Sequence, residues 1–179
     1  MKTGAVFIHP YNDYGVIAGQ ATAAMELIED TPGIVLDLIL APVGGGGLMA
    51  GTALAARYFS VQAEAWGAEP SNVDDAARSL VQGTVQSNVT NETVADGLRT
   101  NLGDKTFAII HKRVPKILVV SEEEIVTAMR HIWERMKIII EPSCAVPFAA
   151  VLRYPELFAG KNVGIILTGG NVDVVSLPF

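Results

Sequence analysis

The chain predicts an α/β domain with a mainly parallel, twisted sheet and helices on both faces. Three observations carry that expectation: short β-rich apolar runs alternate with segments of helical periodicity, no internal repeat interrupts them, and glycine-rich turns close two of the apolar runs. In such sheets ligands bind at the carboxyl ends of the strands, and the marked turns (Gly44 to Gly47, Glu69, Gly97 and Gly169-Gly170) all fall there.

Taken in order, Ala5-Val6-Phe7-Ile8 reads as a strand closed by His9-Pro10, because proline pushes its predecessor out of the helical region. From Val16 to Ile28, apolar residues recur at helical spacing, and Thr31-Pro32-Gly33 stops the helix. Ile34 to Ala41 is a continuous apolar run broken only by Asp37, as expected for a parallel strand buried on both faces. A small-residue helix spans Leu48 to Tyr58, and Ala63 to Ala68 forms a strand ending in Glu69-Pro70. Asp74 to Val81 is a short helix, Gln82 to Asn91 is polar and turn-rich, and Thr93 to Gly97 ends in a turn. Lys116 to Val120 is the next strand. Ser121-Glu122-Glu123-Glu124 then opens a helix running to Met136, with serine as the cap and Glu124 at the capping-box position. Glu141-Pro142-Ser143 starts a helix reaching Leu152, and Val163 to Leu167 is the last buried strand.

Composition narrows the function. The chain has 179 residues, half of them hydrophobic, enough for one domain with a real core. A single cysteine, Cys144, rules out an intramolecular disulfide framework; no cysteines and histidines sit at zinc spacing, and a reducing, cytoplasmic location is expected. Cys144 itself is expected to be a buried, inert thiol. The net charge of −6, with no basic run, argues against nucleic-acid partners. Gly33 to Ala56 is apolar, yet Asp37, Pro42 and the glycines interrupt it, so no membrane span is expected. No signal peptide is expected at the start.

Gly44-Gly45-Gly46-Gly47 after an apolar strand and before a helix leaves backbone N–H groups uncovered, the arrangement that cradles phosphate. A tight turn with close helix packing explains one glycine there, but four in a row are conformationally costly unless something requires them. Dinucleotide binding is a competing reading: Gly45-x-Gly47-x-x-Ala50 satisfies the relaxed fingerprint, and Glu69 ends the next strand as a ribose-binding acid would. It leaves the later motifs unexplained.

His9-Pro10, Ala18-Gly19-Gln20, Pro42 to Leu48, Ala68 to Asn72, Ala95-Asp96-Gly97, Glu134 to Lys137, Glu141-Pro142-Ser143 and Thr168 to Asn171, in that order, resemble the serine racemase and serine/threonine dehydratase family. These are fold-type II, tryptophan synthase beta-like enzymes that use pyridoxal 5'-phosphate, and the resemblance runs from about Gly4 to Val175. It implies that Gly44, Gly45, Gly46, Gly47 and the Leu48 amide hold the cofactor phosphate, that Gly97 and Glu141 line its ring, and that Thr168 faces the pyridine nitrogen. Glu69, Asp75 and the Val73 carbonyl match the family's divalent cation site, suited to Mg²⁺, Ca²⁺ or Mn²⁺. A helix-start carboxylate explains Glu141 equally well, and Asp74-Asp75 alone would read as a helix N-terminus.

Two family features have no match. The lysine that carries the cofactor sits in a Ser-Phe-Lys-like segment, and Lys2, Lys105, Lys112, Lys116, Lys137 and Lys161 all stand in other contexts. The Ser/Asn/Gly-rich loop that grips the substrate carboxylate is missing as well. The resemblance therefore implies that residues 1–13 end the family's small domain with its last strand, that residues 14–179 form the large cofactor-binding domain, and that Met1-Lys2-Thr3 is an alternative start, a split gene or a truncated reading frame. It implies part of a lyase acting on serine, threonine or another 3-hydroxy amino acid, or of a serine racemase, inactive alone and dimeric when complete. A non-catalytic or partner-complemented module and a nicotinamide-dependent dehydrogenase fragment are the alternatives. Exposed apolar edges are expected to make the isolated chain self-associate.

Overall fold

The computed structural model describes residues 3–60 and 62–179; the start expected at Met1-Lys2 lies outside them. Helix α1 (Tyr14–Glu29) leads to strand β1 (Leu38–Pro42), helix α2 (Gly47–Phe59) and strand β2 (Glu64–Pro70). Helices α3 (Asp75–Gln82) and α4 (Asp104–Arg113) precede strand β3 (Ile117–Val120), and α5 (Glu122–Met136), α6 (Pro142–Arg153) and α7 (Pro155–Phe158) precede strand β4 (Val163–Ile165). Short 3-10 turns occupy Ser71–Val73 and Asp96–Leu98.

The four strands are all parallel, in the order β3-β2-β1-β4. Leu38 pairs with Glu64 on one side and Val163 on the other, which fixes the register of the middle of the sheet. Alternation along β1 divides the core. Leu38 and Leu40 face a cluster with Trp66, Leu118, Ile125, Met129 and Val146, beneath α5 and α6. Ile39, Ala41 and Val43 face Ile17, Met49, Ala53 and Ile110, beneath α1, α2 and α4. Helices thus cover both faces, as the apolar runs require.

The chain proceeds from β1 to β2 to β3, then returns to place β4 on the opposite side of β1. The reversal opens a crevice between the carboxyl ends of β1 and β4, the position where open α/β sheets bind ligands. Gly44 to Gly47 follow β1 and Thr168 follows β4, so the glycine loop and Thr168 meet there.

Several boundaries differ from expectation. Ala5 to Ile8 forms no strand: it runs without ladder partners, with Phe7 82% exposed, because no neighbouring strand among the described residues is there to pair with it. The strand expected from Ile34 begins only at Leu38; Ile34 and Val35 are exposed, and the Asp37 carboxylate instead accepts from the Asn162 amide (2.8 Å) and from Gln62 Nε2 (3.0 Å). The final strand ends at Ile165, two residues early. Helix α4 and the single turn α7 lie where the sequence reading places no element. The serine-capped helix forms as read: Glu124 N donates to Ser121 Oγ (3.3 Å) and Ser121 N donates to Glu124 Oε2 (2.7 Å).

Candidate active site

A cavity of ≈ 260 Å³ opens at the crevice between β1 and β4. It brings together Gly44, Gly45, Gly46, Gly47, Leu48, Gly97, Glu141 and Thr168, the residues named from the sequence for cofactor binding. Pro10, Tyr11, Gln20, Thr100 and Ser143 also line it, and sequence reading gave none of them a place in the site.

The glycine loop is buried throughout, yet among the described residues none of the amides from Gly44 to Leu48 donates a hydrogen bond within the chain. Buried backbone N–H groups are almost always paired. A row of unpaired donors at the N-terminus of α2 has the chemistry to bind an anion, with the helix dipole adding to the attraction. Gly46, the N-cap of α2, is left-handed at φ 84, which no β-branched or bulky residue adopts readily.

The far wall is stapled by the start of α6. Ser143 Oγ accepts from Gly97 N (3.0 Å), Cys144 Sγ accepts from Thr168 N (3.2 Å), and Glu141 Oε2 accepts from Asn171 N (3.0 Å). Glu141 N in turn donates to Gly169 O (3.0 Å). Three residues within one helical turn thus fix the Gly97 turn, the end of β4 and the Gly169-Gly170 turn relative to each other. Cys144 is fully buried, as expected of an inert thiol. Ser143 was readable in part, because a serine following Glu-Pro at a helix start is placed to bond a neighbouring turn.

The acidic residues form a separate, buried cluster behind the carboxyl end of β2. Glu69 is fully buried; its carboxylate accepts from Ala76 N (3.2 Å) and Ala77 N (2.9 Å) at the start of α3. Burial pushes its pKa well above the ordinary carboxylate value, and the neighbouring Asp75 adds to the rise. Asp75 Oδ2 accepts from Leu102 N (2.9 Å), while Oδ1 is buried without a partner. Burial raises the Asp75 carboxyl from 3.8 to about 6, against the lowering effects of the Leu102 amide, of the nearby Asn88 side chain, which falls short of bonding geometry, and of Arg78. Val73 is buried beside them. No group of three or more His, Cys, Asp or Glu side chains gathers at metal-binding distance among the described residues. Glu69 turns both its oxygens towards the start of α3 and does not line the glycine-loop cavity, so the dinucleotide fingerprint loses its second half.

Comparison with known proteins agrees with this geometry. A family model described as pyridoxal-phosphate dependent enzyme matches residues 1–169. The beta-hydroxyaspartate dehydratase of Paracoccus denitrificans (strain Pd 1222) is 47% identical over 99% of this chain and 56% of its own length. The crystal structure of serine racemase from Dictyostelium discoideum superposes with a TM-score of 0.86 at 47% identity, over 93% of this chain and 54% of that one. The structure of maize serine racemase superposes with a TM-score of 0.91 at 40% identity, over 97% of this chain and 54% of that one. The chain spans about half the length of the curated relatives it matches. Among the described residues no helix is long and apolar enough to cross a membrane. The matched family model, the parallel sheet with its switch-point crevice and the similarity to racemase and dehydratase relatives show that this chain belongs to the pyridoxal-phosphate dependent enzyme family.

Proposed function

We propose that this chain is the cofactor-binding part of a dehydratase, ammonia-lyase or racemase acting on a 3-hydroxy amino acid such as serine, threonine or hydroxyaspartate. The observation that carries the reading is the row of unpaired amides from Gly44 to Leu48, the four glycines buried and Leu48 half-buried, at one end of the cavity, with Thr168 and Glu141 at its far wall. The amides would hold the phosphate of pyridoxal 5'-phosphate, whose ring, when bound, supplies an electron sink for charge developing at the substrate α-carbon. Thr168 would present a neutral hydroxyl to the ring nitrogen, and Gly97, without a side chain, would leave room for the ring. Among the described residues no lysine lines the cavity, so the chain alone is expected not to turn over.

We also propose a divalent cation as the second ligand, a reading that starts from the unpartnered Asp75 oxygen, since no group of three or more His, Cys, Asp or Glu side chains gathers there among the described residues. Two acids with raised pKa and an unpartnered Asp75 oxygen suit a hard cation, with Glu69, Asp75 and the Val73 carbonyl as its protein ligands and water as the remainder.

Titration of the purified chain with pyridoxal 5'-phosphate, followed by protein fluorescence and by the cofactor's visible absorbance, tests the reading. Saturable binding that inorganic phosphate displaces is expected, with no release of keto acid from serine, threonine or hydroxyaspartate. Absence of saturable binding, or tight NAD(H) binding indifferent to pyridoxal 5'-phosphate, would overturn it.

A further inference from the structure

Between Ala5 and α1 the chain passes directly over the glycine loop, and its side chains explain glycines that backbone conformation does not. Of the four glycines after β1, only Gly46 has a positive φ. A Cβ on Gly45 would fall within the face of the Tyr11 ring, and one on Gly47 would lie 2.7 Å from Gln20 Oε1 and 2.9 Å from Tyr11 Cβ. These two glycines are small so that the segment from His9 to Asp13 can close onto them.

That segment is a tethered strap. His9 Nδ1 accepts from Asn12 N (3.0 Å), folding it into a turn, and the Asp13 carboxylate caps α1 by accepting from Gly15 N (2.8 Å) and Val16 N (3.2 Å). Asn12 reaches far along the sequence: its Oδ1 accepts from Lys105 N (2.9 Å) and its Nδ2 donates to Asp104 Oδ1 (2.6 Å), at the start of α4. Helix α4 also holds the loop from the opposite side, because Thr106 Oγ1 donates to Gly45 O (2.8 Å) and Leu102, Thr106 and Ile110 pack against Gly46. Gly45 is therefore gripped between the Tyr11 ring above and Thr106 below.

We propose that Tyr11 is a binding residue for the cofactor phosphate, its ring forming the water-excluding wall of the amide cradle, and that Asn12 is the positioning residue that moors it to α4. The inference rests on the reading of this cavity as a phosphate-cofactor site. Hydrogen bonds from amides to an anion strengthen when water is kept out, and an aromatic ring laid on Gly45 excludes it without adding a competing acceptor.

The test compares wild type, Tyr11→Ala, Tyr11→Phe and Asn12→Ala by fluorescence titration with pyridoxal 5'-phosphate and with pyridoxal, which lacks the phosphate. Tyr11→Ala is expected to weaken pyridoxal 5'-phosphate binding about tenfold, the order of one charge-assisted hydrogen bond, while pyridoxal binding moves less than about twofold. Tyr11→Phe, which keeps the ring, restores wild-type affinity, and Asn12→Ala gives a loss of several-fold with the same phosphate selectivity. If wild type binds and Tyr11→Ala binds within about twofold of it, or loses both ligands equally, the proposal is wrong and the cofactor reading stands. Should Tyr11→Ala fail to fold, Asn12→Ala decides in the same way, since its ring is intact. Failure of wild type to bind pyridoxal 5'-phosphate overturns the cofactor reading and this inference with it.

Discussion

Asp75→Asn should stabilise this protein at neutral pH in the absence of divalent cations, even though it alters a buried, hydrogen-bonded side chain. The carboxyl is raised from 3.8 to about 6 by burial, so between those values the folded chain holds a proton that the unfolded chain has released. Stability from this group is complete below the unfolded value and is lost as the pH climbs through the folded one. Above that window the folded state carries a charged oxygen, Oδ1, with no partner. The displacement corresponds to about 3 kcal/mol if water is fully excluded, and to about half of that once solvent screening is allowed. Asparagine removes the charge while an amide oxygen still accepts from Leu102 N. Urea unfolding with EDTA should show the variant more stable than wild type by about 1.5 kcal/mol near pH 7.5, with the difference closing towards about pH 4.5. Millimolar Mg²⁺ or Ca²⁺ should then reverse the order, because a ligand that binds only the folded state stabilises it by mass action and the variant has lost an anionic ligand. A variant less stable than wild type near neutral pH with EDTA would show that Asp75 is satisfied as it stands, and the sign of the argument would be wrong.

Gly46→Ala combines a left-handed backbone with overpacking, since its Cβ would lie 2.6 Å from Leu102 Cδ2 and 2.9 Å from Ile110 Cδ1. A loss of about 2 to 4 kcal/mol is expected in urea unfolding, and a loss below about 1 kcal/mol would mean that the loop relaxes freely. The exposed run Val6, Phe7 and Ile8, at 85%, 82% and 66% accessible, should drive concentration-dependent association in sedimentation velocity. Phe7→Asp should reduce it; a monodisperse monomer of the wild-type chain over a wide concentration range would contradict this.

How far the sequence reaches depends on whether the relevant forces are local. The helix after Ser121 was legible because its start is written in adjacent residues, a serine cap answered by Glu124. The turn at Gly44 to Gly47 was legible because strand, glycines and helix follow one another. Ala5 to Ile8 has the composition of a strand, but a strand is a pairing, and composition does not say whether a partner lies alongside. Ile34 to Asp37 failed for a related reason: the apolar residues belong to an exposed lead-in, and Asp37 commits its carboxylate to Asn162, far away in sequence. Helix α4 was legible too, with Asp104 in its first turn, Phe107, Ile110 and Val114 at helical spacing and His111-Lys112-Arg113 in its last turn, and the sequence reading passes over it. Tyr11 had no such signal. Its place in the site depends on a contact with Gly45 that only the folded chain creates.

The glycine run shows why a motif can be located correctly and still be incompletely explained. Its four members are small because of different neighbours, Tyr11 being shared by Gly45 and Gly47. A Cβ on Gly44 would lie 3.0 Å from Leu98 Cα in the turn carrying Gly97; Gly45 admits the Tyr11 ring; Gly46 turns left-handed over Leu102 and Ile110; Gly47 meets Gln20 of α1. These neighbours come from separate parts of the chain, so the loop is immobilised from several directions before any ligand arrives. A flexible glycine loop would have to lose backbone freedom on binding, at about 1 kcal/mol or more for each residue ordered. Here that entropy is lost during folding. On the proposed reading the amides are held, unpaired, in a geometry an anion would not have to create, and the affinity of such a cradle would depend on the strap and on α4 as much as on the glycines that line it.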